Sequence, residues 1–98
     1  MAQPTGQRVY DPRGVVDAQP RPISQRPASL KGLRLGVLDN TKWNGRRLLE
    51  ETTALLEGEL GLGKVTFYKK ETFSKAAAPE LLAQIAAEND IALTAIAD

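Results

Sequence analysis

From Leu33 onward, the hydrophobic positions of the chain fall into short continuous runs and longer helical stripes. A short apolar run bounded by turn residues is typical of a buried strand, and a longer amphipathic stripe is typical of a helix. The runs and stripes alternate, so they predict the order β-α-β-α-β. The predicted strands cover residues 33–38, 64–69 and 91–97. In the second strand, Val65 and Phe67 should lie on one side, with Thr66 and Tyr68 on the other.

The two helical segments carry signals at their ends. The first follows Asn44, an N-cap residue type, and stops at Gly61, where a left-handed C-cap is usual. The second begins at Pro79, which suits a first helical turn, and ends at Asn89. We expect the inner stripe of the first helix to contain Leu48, Leu49, Thr52, Leu55, Leu56 and Leu60, and that of the second Leu81, Leu82, Ile85 and Ala86.

This element order predicts an α/β fold. Near-continuous apolar strands are typical of a parallel sheet that is covered on both faces. Right-handed crossovers place the first strand in the centre, in the order 2-1-3. We therefore predict a partial doubly wound, Rossmann-like or flavodoxin-like, three-layer fold. Its third strand would form an apolar edge, which is normally covered by more chain or by another subunit.

Residues 1–31 form a proline-rich extended arm in our interpretation, and residues 32–98 form the α/β domain. The arm contains five of the six prolines, which remove amide donors and favour extended backbone. It has five basic and two acidic residues, a net charge of +3, whereas the domain has eight basic and ten acidic residues, a net charge of −2. The opposite charges favour contact between the arm and its own domain or a neighbouring subunit, with Val9–Tyr10 and Val15–Val16 as apolar anchors; a solvated tail is the alternative.

The composition excludes several mechanisms. The 98 residues include no cysteine and no histidine, so this chain has no disulfide, no Cys or His zinc site and no thiol nucleophile. A net charge of +1 gives no indication of nucleic-acid binding. No apolar run approaches the ~20 residues of a membrane span, and the first residues lack a signal-peptide core. We expect a cytoplasmic protein without a metal or cofactor, and with no nucleic-acid or membrane partner.

The most polar loop of the domain is DNTKWNG, which follows the first strand. Ligands of doubly wound sheets bind beyond the carboxyl ends of the strands, so Asp39 and Lys42 could orient a polar substrate there. Alternatively, Asp39 and Asn40 hydrogen-bond the turn, Asn44 caps the helix, and Trp43 packs over the end of the sheet. Lys69 and Lys70 are interpreted as solvated charges. The candidate binding residues are Asp39, Asn40, Thr41, Lys42, Asn44 and Asp98.

Two segments, GLRLGVLDNTKWNGRRLLEE and DIALTAIAD, carry a family resemblance. They resemble the N-terminal part of the UGSC family of selenoproteins and their cysteine homologues, over about residues 11–98. The most specific piece is LDNTKWN, in which Trp43 replaces the expected proline. In the family a selenocysteine-Gly-Ser-Cys motif follows the third strand, so the resemblance implies a nucleophile directly after Asp98.

The resemblance implies the N-terminal fragment of a selenol- or thiol-dependent redox enzyme, truncated at a selenocysteine codon and itself without the redox nucleophile. We expect no redox turnover from this chain alone. Two alternatives stay open: a small self-associating α/β module, and a domain that binds an anion or small ligand through the loop of residues 39–42. We expect a homodimer, formed through the exposed third strand or the arm, and a small-molecule substrate.

Overall fold

The computed structural model describes residues 6–97. In this part of the chain, the elements are β1 (Leu35–Asp39), α1 (Gly45–Leu60), β2 (Val65–Lys69), α2 (Pro79–Glu88) and β3 (Ile91–Ala95). The predicted order is confirmed. The observed strand ends differ from the predicted ones by one or two residues. The backbone groups at these positions form hydrogen bonds with turns and loops instead of with a neighbouring strand. The Leu33 amide donates a hydrogen bond to the Leu30 carbonyl, and the Leu33 carbonyl accepts one from the Gly63 amide. β1 therefore begins only at Leu35.

β1 is the central strand of a parallel sheet with the order β2-β1-β3. The predicted α/β class and strand order are therefore confirmed. Val37 lies between Phe67 and Leu93, and the register continues to the strand ends. At those ends Asp39 lies beside Lys69 and Ala95. We call the end of the sheet formed by these three residues and the loops that follow them the carboxyl edge.

One face of the sheet packs against α1 and forms the hydrophobic core. Leu35, Val37 and Leu49 are its buried residues. The half-buried residues that pack against them are Leu62, Val65, Phe67, Ile91, Leu93 and Ala95. Because Val65 and Phe67 belong to this core while Tyr68 bonds to Asn89 after α2, the predicted alternation along β2 is confirmed.

The inner face of α1 differs from the predicted stripe. Its buried residues are Gly45, Leu49 and Thr53, which are spaced by one helical turn. By contrast, Leu48 is 50% exposed and Leu55 is 68% exposed, so the prediction was wrong for these two leucines. A sheet of three described strands contacts only a narrow strip of the helix, and the flanking leucines stay outside that strip. Thr52, Leu56 and Leu60 are half-buried.

α2 covers the opposite face of the sheet mainly through Ile85, which is its buried residue. Leu82 is 52% exposed and Ala86 is exposed, so the predicted stripe is too wide there as well. The predicted helix ends are better: Pro79 occupies the first turn of α2, and Gly61 ends α1 with a left-handed φ of 62°.

The described part of the arm, residues 6–31, contains no helix or strand. Its large apolar side chains do not anchor it to the domain, because Val9, Tyr10, Val15, Val16 and Ile23 are 81–99% exposed. The predicted anchoring is therefore wrong for the chain's own domain. Near the end of the arm, Ser24, Gln25 and Pro27 line a shallow groove together with Ile91 of β3. The division into an arm, residues 1–31, and a domain, residues 32–98, stays a prediction.

Residues 6–97 show neither a membrane-spanning helix nor a metal-binding cluster. No helix there is long and apolar enough to cross a membrane. The same residues contain no cluster of three or more side chains that could hold a metal ion.

Candidate functional site

The loop that follows β1 is held by its own side chains. Asp39, which is only 5% exposed, accepts a hydrogen bond from the Thr41 amide at 2.8 Å through Oδ1. Asn40 Oδ1 accepts the amide of Lys42 at 3.3 Å. The Thr41 hydroxyl donates to the carbonyl of Asn40. These bonds confirm the prediction that Asp39 and Asn40 hydrogen-bond the turn.

Asn40 also joins this loop to the segment that follows β3. Its Nδ2 donates to the carbonyl oxygen of Ile96. Its backbone amide donates to the carbonyl oxygen of Ala95 at 3.3 Å. The side chain and the backbone of one residue therefore fix the exit of β3 beside the exit of β1. Asn40 is half-buried, so these bonds are partly shielded from water.

Two left-handed residues set the path of the loop. Thr41 has a φ of 70° and Asn44 has a φ of 62°. Left-handed backbone costs a residue with a Cβ about 1 kcal/mol, and such residues are concentrated at functional sites. Asn44 occupies the N-cap position of α1, yet its side chain makes no capping hydrogen bond. The prediction that Asn44 caps the helix is therefore wrong, because a capping side chain requires extended rather than left-handed backbone.

Trp43, which lies between the left-handed residues Thr41 and Asn44, does not pack on the sheet. It is 89% exposed, so the prediction that it packs over the end of the sheet is wrong. Phe73, in the loop after β2, is 60% exposed. Both rings line a shallow groove of about 620 Å³ at the carboxyl edge, which we call the loop groove. Its lining residues are Asp39, Thr41, Lys42, Trp43, Asn44, Arg46, Arg47, Glu50, Lys69 and Phe73.

The loop groove is positively charged. Four basic and two acidic side chains line it, which gives a net charge of +2, whereas residues 32–98 together carry −2. Two of its cations are held by neighbours on α1: Arg46 bonds to Glu50 at 2.7 Å, and Arg47 bonds to Glu51 at 3.0 Å. The Arg46 guanidinium also lies 4.3 Å from the centre of the Phe67 ring.

The two lysines of the groove come from different strands. Lys42 Nζ lies 5.9 Å from the centre of the Phe73 ring, which is within the range of a cation–π contact. Lys69 ends β2 and is exposed. The neighbouring Lys70 has a local role, because its Nζ donates to the carbonyl of Lys75 at 2.7 Å.

Four of the six candidate residues lie together in the loop groove: Asp39, Thr41, Lys42 and Asn44. Asn40 is absent from the lining of the groove, and Asp98 lies outside the described residues. Phe73 and Arg47 were not predicted as site residues, and Lys69 was interpreted only as a solvated charge. The register of the sheet is the signal for Lys69, because the strand order 2-1-3 brings it beside Asp39.

A second polar cluster lies between the sheet and the end of α2. The Tyr68 hydroxyl donates to Glu88, and Asn89 Nδ2 donates to the Tyr68 oxygen and to the Ile85 carbonyl, both at 2.9 Å. The hydrogen bond with Glu88 raises the pKa of Tyr68, and the same bond lowers the pKa of Glu88. This cluster joins α2 to the sheet, and its residues are absent from the lining of the loop groove.

The loop, the arm and the sheet fall within one family match. A model of the UGSC family matches residues 8–98. The chain belongs to the UGSC family. This UGSC match includes every described strand and helix and most of the arm, so it confirms the resemblance indicated by LDNTKWN. No curated protein and no solved structure matches the chain.

Proposed function

We propose that this UGSC chain is the N-terminal part of a selenol- or thiol-dependent redox enzyme, and that its carboxyl edge positions the substrate. Membership of the UGSC family supports the proposal, because resemblance to this family implies a selenocysteine-Gly-Ser-Cys motif directly after the third strand. The chain contains no cysteine of its own. In the proposed enzyme, the nucleophile therefore belongs to residues that follow Asp98.

The observation that carries this proposal is the bond from Asn40 Nδ2 to the Ile96 carbonyl. It holds the exit of β3 beside the loop of residues 39–44, so a residue that follows Asp98 would begin close to that loop. Ligands of parallel α/β sheets bind beyond the carboxyl ends of the strands, which is the same place. A helix beginning after the motif would lower the nucleophile's pKa through its N-terminal amides.

The loop residues have distinct roles in this proposal. Lys42 would supply a positive charge that favours the selenolate or thiolate over its protonated form. Asp39 is the buried carboxylate of the loop and would orient a polar group of the substrate or accept a proton. Asn40 is a positioning residue, since it acts through the segment that carries the nucleophile.

The first test is the coding DNA after codon 98. A UGA codon followed by codons for Gly, Ser and Cys supports the proposal, and an ordinary stop codon without a downstream reading frame refutes the truncation.

The second test uses the extended protein with cysteine encoded at the UGA position. The rate of alkylation by iodoacetamide, measured against pH, should give a thiol pKa below the ~8.5 of free cysteine. Lys42→Gln should raise that pKa, whereas Lys64→Gln, at the opposite end of the sheet, should not. A pKa at or above the value of free cysteine would contradict the proposal.

We also infer that two copies associate through the outer edge of β3. This strand pairs with β1 on one side only among the described residues. Ile91 donates to Arg34 and Ala95 accepts from Asn40, so the alternating backbone groups of Ala92 and Thr94 face outward. Unpaired edges of this kind recruit a further strand.

Ala92→Pro tests this association, because it removes an outward amide without removing a hydrogen bond inside the sheet. Sedimentation velocity at micromolar concentration should show a dimer for the original chain and a monomer for the variant. A monomeric original chain, or a dimer that survives the substitution, would exclude pairing through this edge.

A further inference from the structure

The carboxyl edge exposes its largest aromatic side chain instead of burying it. Trp43 is 89% exposed, and the loop that carries it is held by the hydrogen bonds of Asp39 and Asn40. Left-handed backbone at Thr41 and Asn44 flanks it on both sides. An exposed tryptophan on an ordered loop leaves a large apolar surface in contact with water. A ligand that packs against the ring would remove that surface from water, which is favourable.

A second aromatic ring and two lysines line the same groove. Phe73 is 60% exposed and is contacted by Lys42 Nζ. The ammonium group of Lys69 has no ion-pair partner in the part of the chain that the structure describes. It therefore differs from Arg46 and Arg47, whose charges are matched by Glu50 and Glu51.

The charge of the groove is opposite to that of its domain. The lining residues carry +2, although residues 32–98 carry −2, so the basic side chains are concentrated where ligands of this fold bind. Small-molecule sites combine apolar and aromatic walls with a few charged groups that fix orientation.

We propose that the loop groove binds a small organic acid, whose anionic group pairs with Lys69 and whose flat aromatic part stacks on Trp43. The inference rests on the proposed function in assigning this acid as the substrate at the carboxyl edge. Binding itself requires no redox nucleophile, and it can be measured on the chain as it stands.

The chain contains one tryptophan, so its fluorescence reports the groove directly. We expect titration with phenylacetate to change this fluorescence and to saturate, with a dissociation constant of about millimolar for so small a ligand. Acetate, which lacks the ring, benzyl alcohol, which lacks the charge, and phenethylamine, which reverses it, should each bind at least about tenfold more weakly.

Two lysine substitutions distinguish ligand binding in the loop groove from a general effect of the protein's charge. Lys69 lies at the carboxyl end of β2, and Lys64 directly precedes the same strand at its other end. We expect Lys69→Gln to weaken phenylacetate binding about tenfold or more, as for the loss of a charge-assisted contact, and Lys64→Gln to leave it unchanged. Phe73→Leu should weaken phenylacetate more than acetate.

Three outcomes would overturn the inference. They are no saturable fluorescence change with phenylacetate, equal binding of phenylacetate and phenethylamine, and equal effects of Lys69→Gln and Lys64→Gln. A fluorescence change that follows protein dilution instead of ligand concentration would also overturn it, because a second copy of the chain and not an acid would then cover Trp43. The two proposals can also fail separately. If phenylacetate binds but the thiol of the extended protein has no lowered pKa, the acid-binding site is retained and the redox proposal is rejected. If the thiol pKa is lowered but phenylacetate does not bind, only the redox proposal is retained.

Discussion

Gly36 in β1 lies directly beneath Asn89 at the end of α2, and a Cβ on Gly36 would lie 2.7 Å from Asn89 Nδ2. The same Cβ would lie 3.2 Å from a methyl carbon of Ile85. Glycine usually weakens a strand, but here its lack of a side chain lets α2 approach the sheet and lets Asn89 reach Tyr68.

Gly36→Ala should therefore destabilise the protein by about 1–3 kcal/mol, as overpacking does, although alanine is the better strand former. The matched control is Gly58→Ala in α1, where a Cβ meets nothing within 4 Å. That change should stabilise the protein by about 0.5–1 kcal/mol, because glycine is unfavourable inside a helix. Urea denaturation of both variants measures the two signs, and stabilisation by Gly36→Ala would refute the packing described here.

The elements and their order could be predicted from sequence because strong local signals agree with a chirality rule. Pro79 and Gly61 fix helix ends. Right-handed crossovers in a doubly wound sheet favour the order β2-β1-β3, which the structure has. The faces of the helices were harder to predict. Leu48 and Leu49 are adjacent on α1, and periodicity alone does not show which one a narrow sheet will bury.

The sequence predicted which loop residues form the site, but not which way their side chains face. The loop's residues were identified from the strand end that carries them. The outward position of Trp43 was not predicted, because it depends on left-handed backbone at Thr41 and Asn44. Neither threonine nor asparagine adopts this backbone often enough for the sequence to predict it. Phe73 was missed because it comes from a different loop and joins the groove only in the folded chain.

Substitution of Asn44 tests whether its backbone or its side chain matters. Asn44→Gly should leave stability unchanged or raise it slightly, because glycine adopts left-handed backbone without strain and no side-chain cap is lost. Asn44→Ala should be about 1 kcal/mol less stable than Asn44→Gly, because its Cβ is strained at a φ of 62°. Thermal unfolding of the two variants gives the difference, and equal stability would show that the loop relaxes out of this conformation.

The ion pair between Arg34 and Asp90 should make stability depend on pH in the acid range. Asp90 accepts the Arg34 amide at 2.8 Å and its guanidinium at 3.1–3.2 Å. The side-chain bond and then the backbone bond lower the pKa of Asp90 below 3.8. A carboxyl group whose folded pKa is lowered stabilises the fold above its unfolded pKa, and this contribution is lost as the pH falls through the folded value.

Asp90→Asn should therefore lower stability at neutral pH and flatten its decline below about pH 4. Asp17→Asn, in the exposed arm, is the control and should leave the profile unchanged. Urea midpoints measured from neutral to acid pH test this prediction. A variant whose profile runs parallel to that of the original chain would show that the pair contributes nothing.

The bond from Tyr68 to Glu88 should be visible in the ionisation of the tyrosine. Hydrogen bonding to this carboxylate raises the pKa of Tyr68, so its folded pKa lies above the unfolded value of about 10. Stability that depends on the neutral phenol is therefore complete below pH 10 and is lost as the pH rises through the folded pKa. The ultraviolet absorbance of tyrosinate follows the titration. Since the chain has two tyrosines, Tyr68→Phe leaves Tyr10 as the baseline to subtract.

Glu88→Gln should lower the pKa of Tyr68 towards its ordinary value, because the neutral amide accepts the phenolic proton without disfavouring tyrosinate. Tyr68→Phe should destabilise the fold by about 1–2 kcal/mol, since it removes one of the two acceptors of the buried Asn89 amide. Glu80→Gln, in the first turn of α2, should change neither quantity. If Tyr68 titrates with the same pKa in the original chain and in Glu88→Gln, the carboxylate does not hold the phenol, and α2 is joined to the sheet by Ile85 and Asn89 without it.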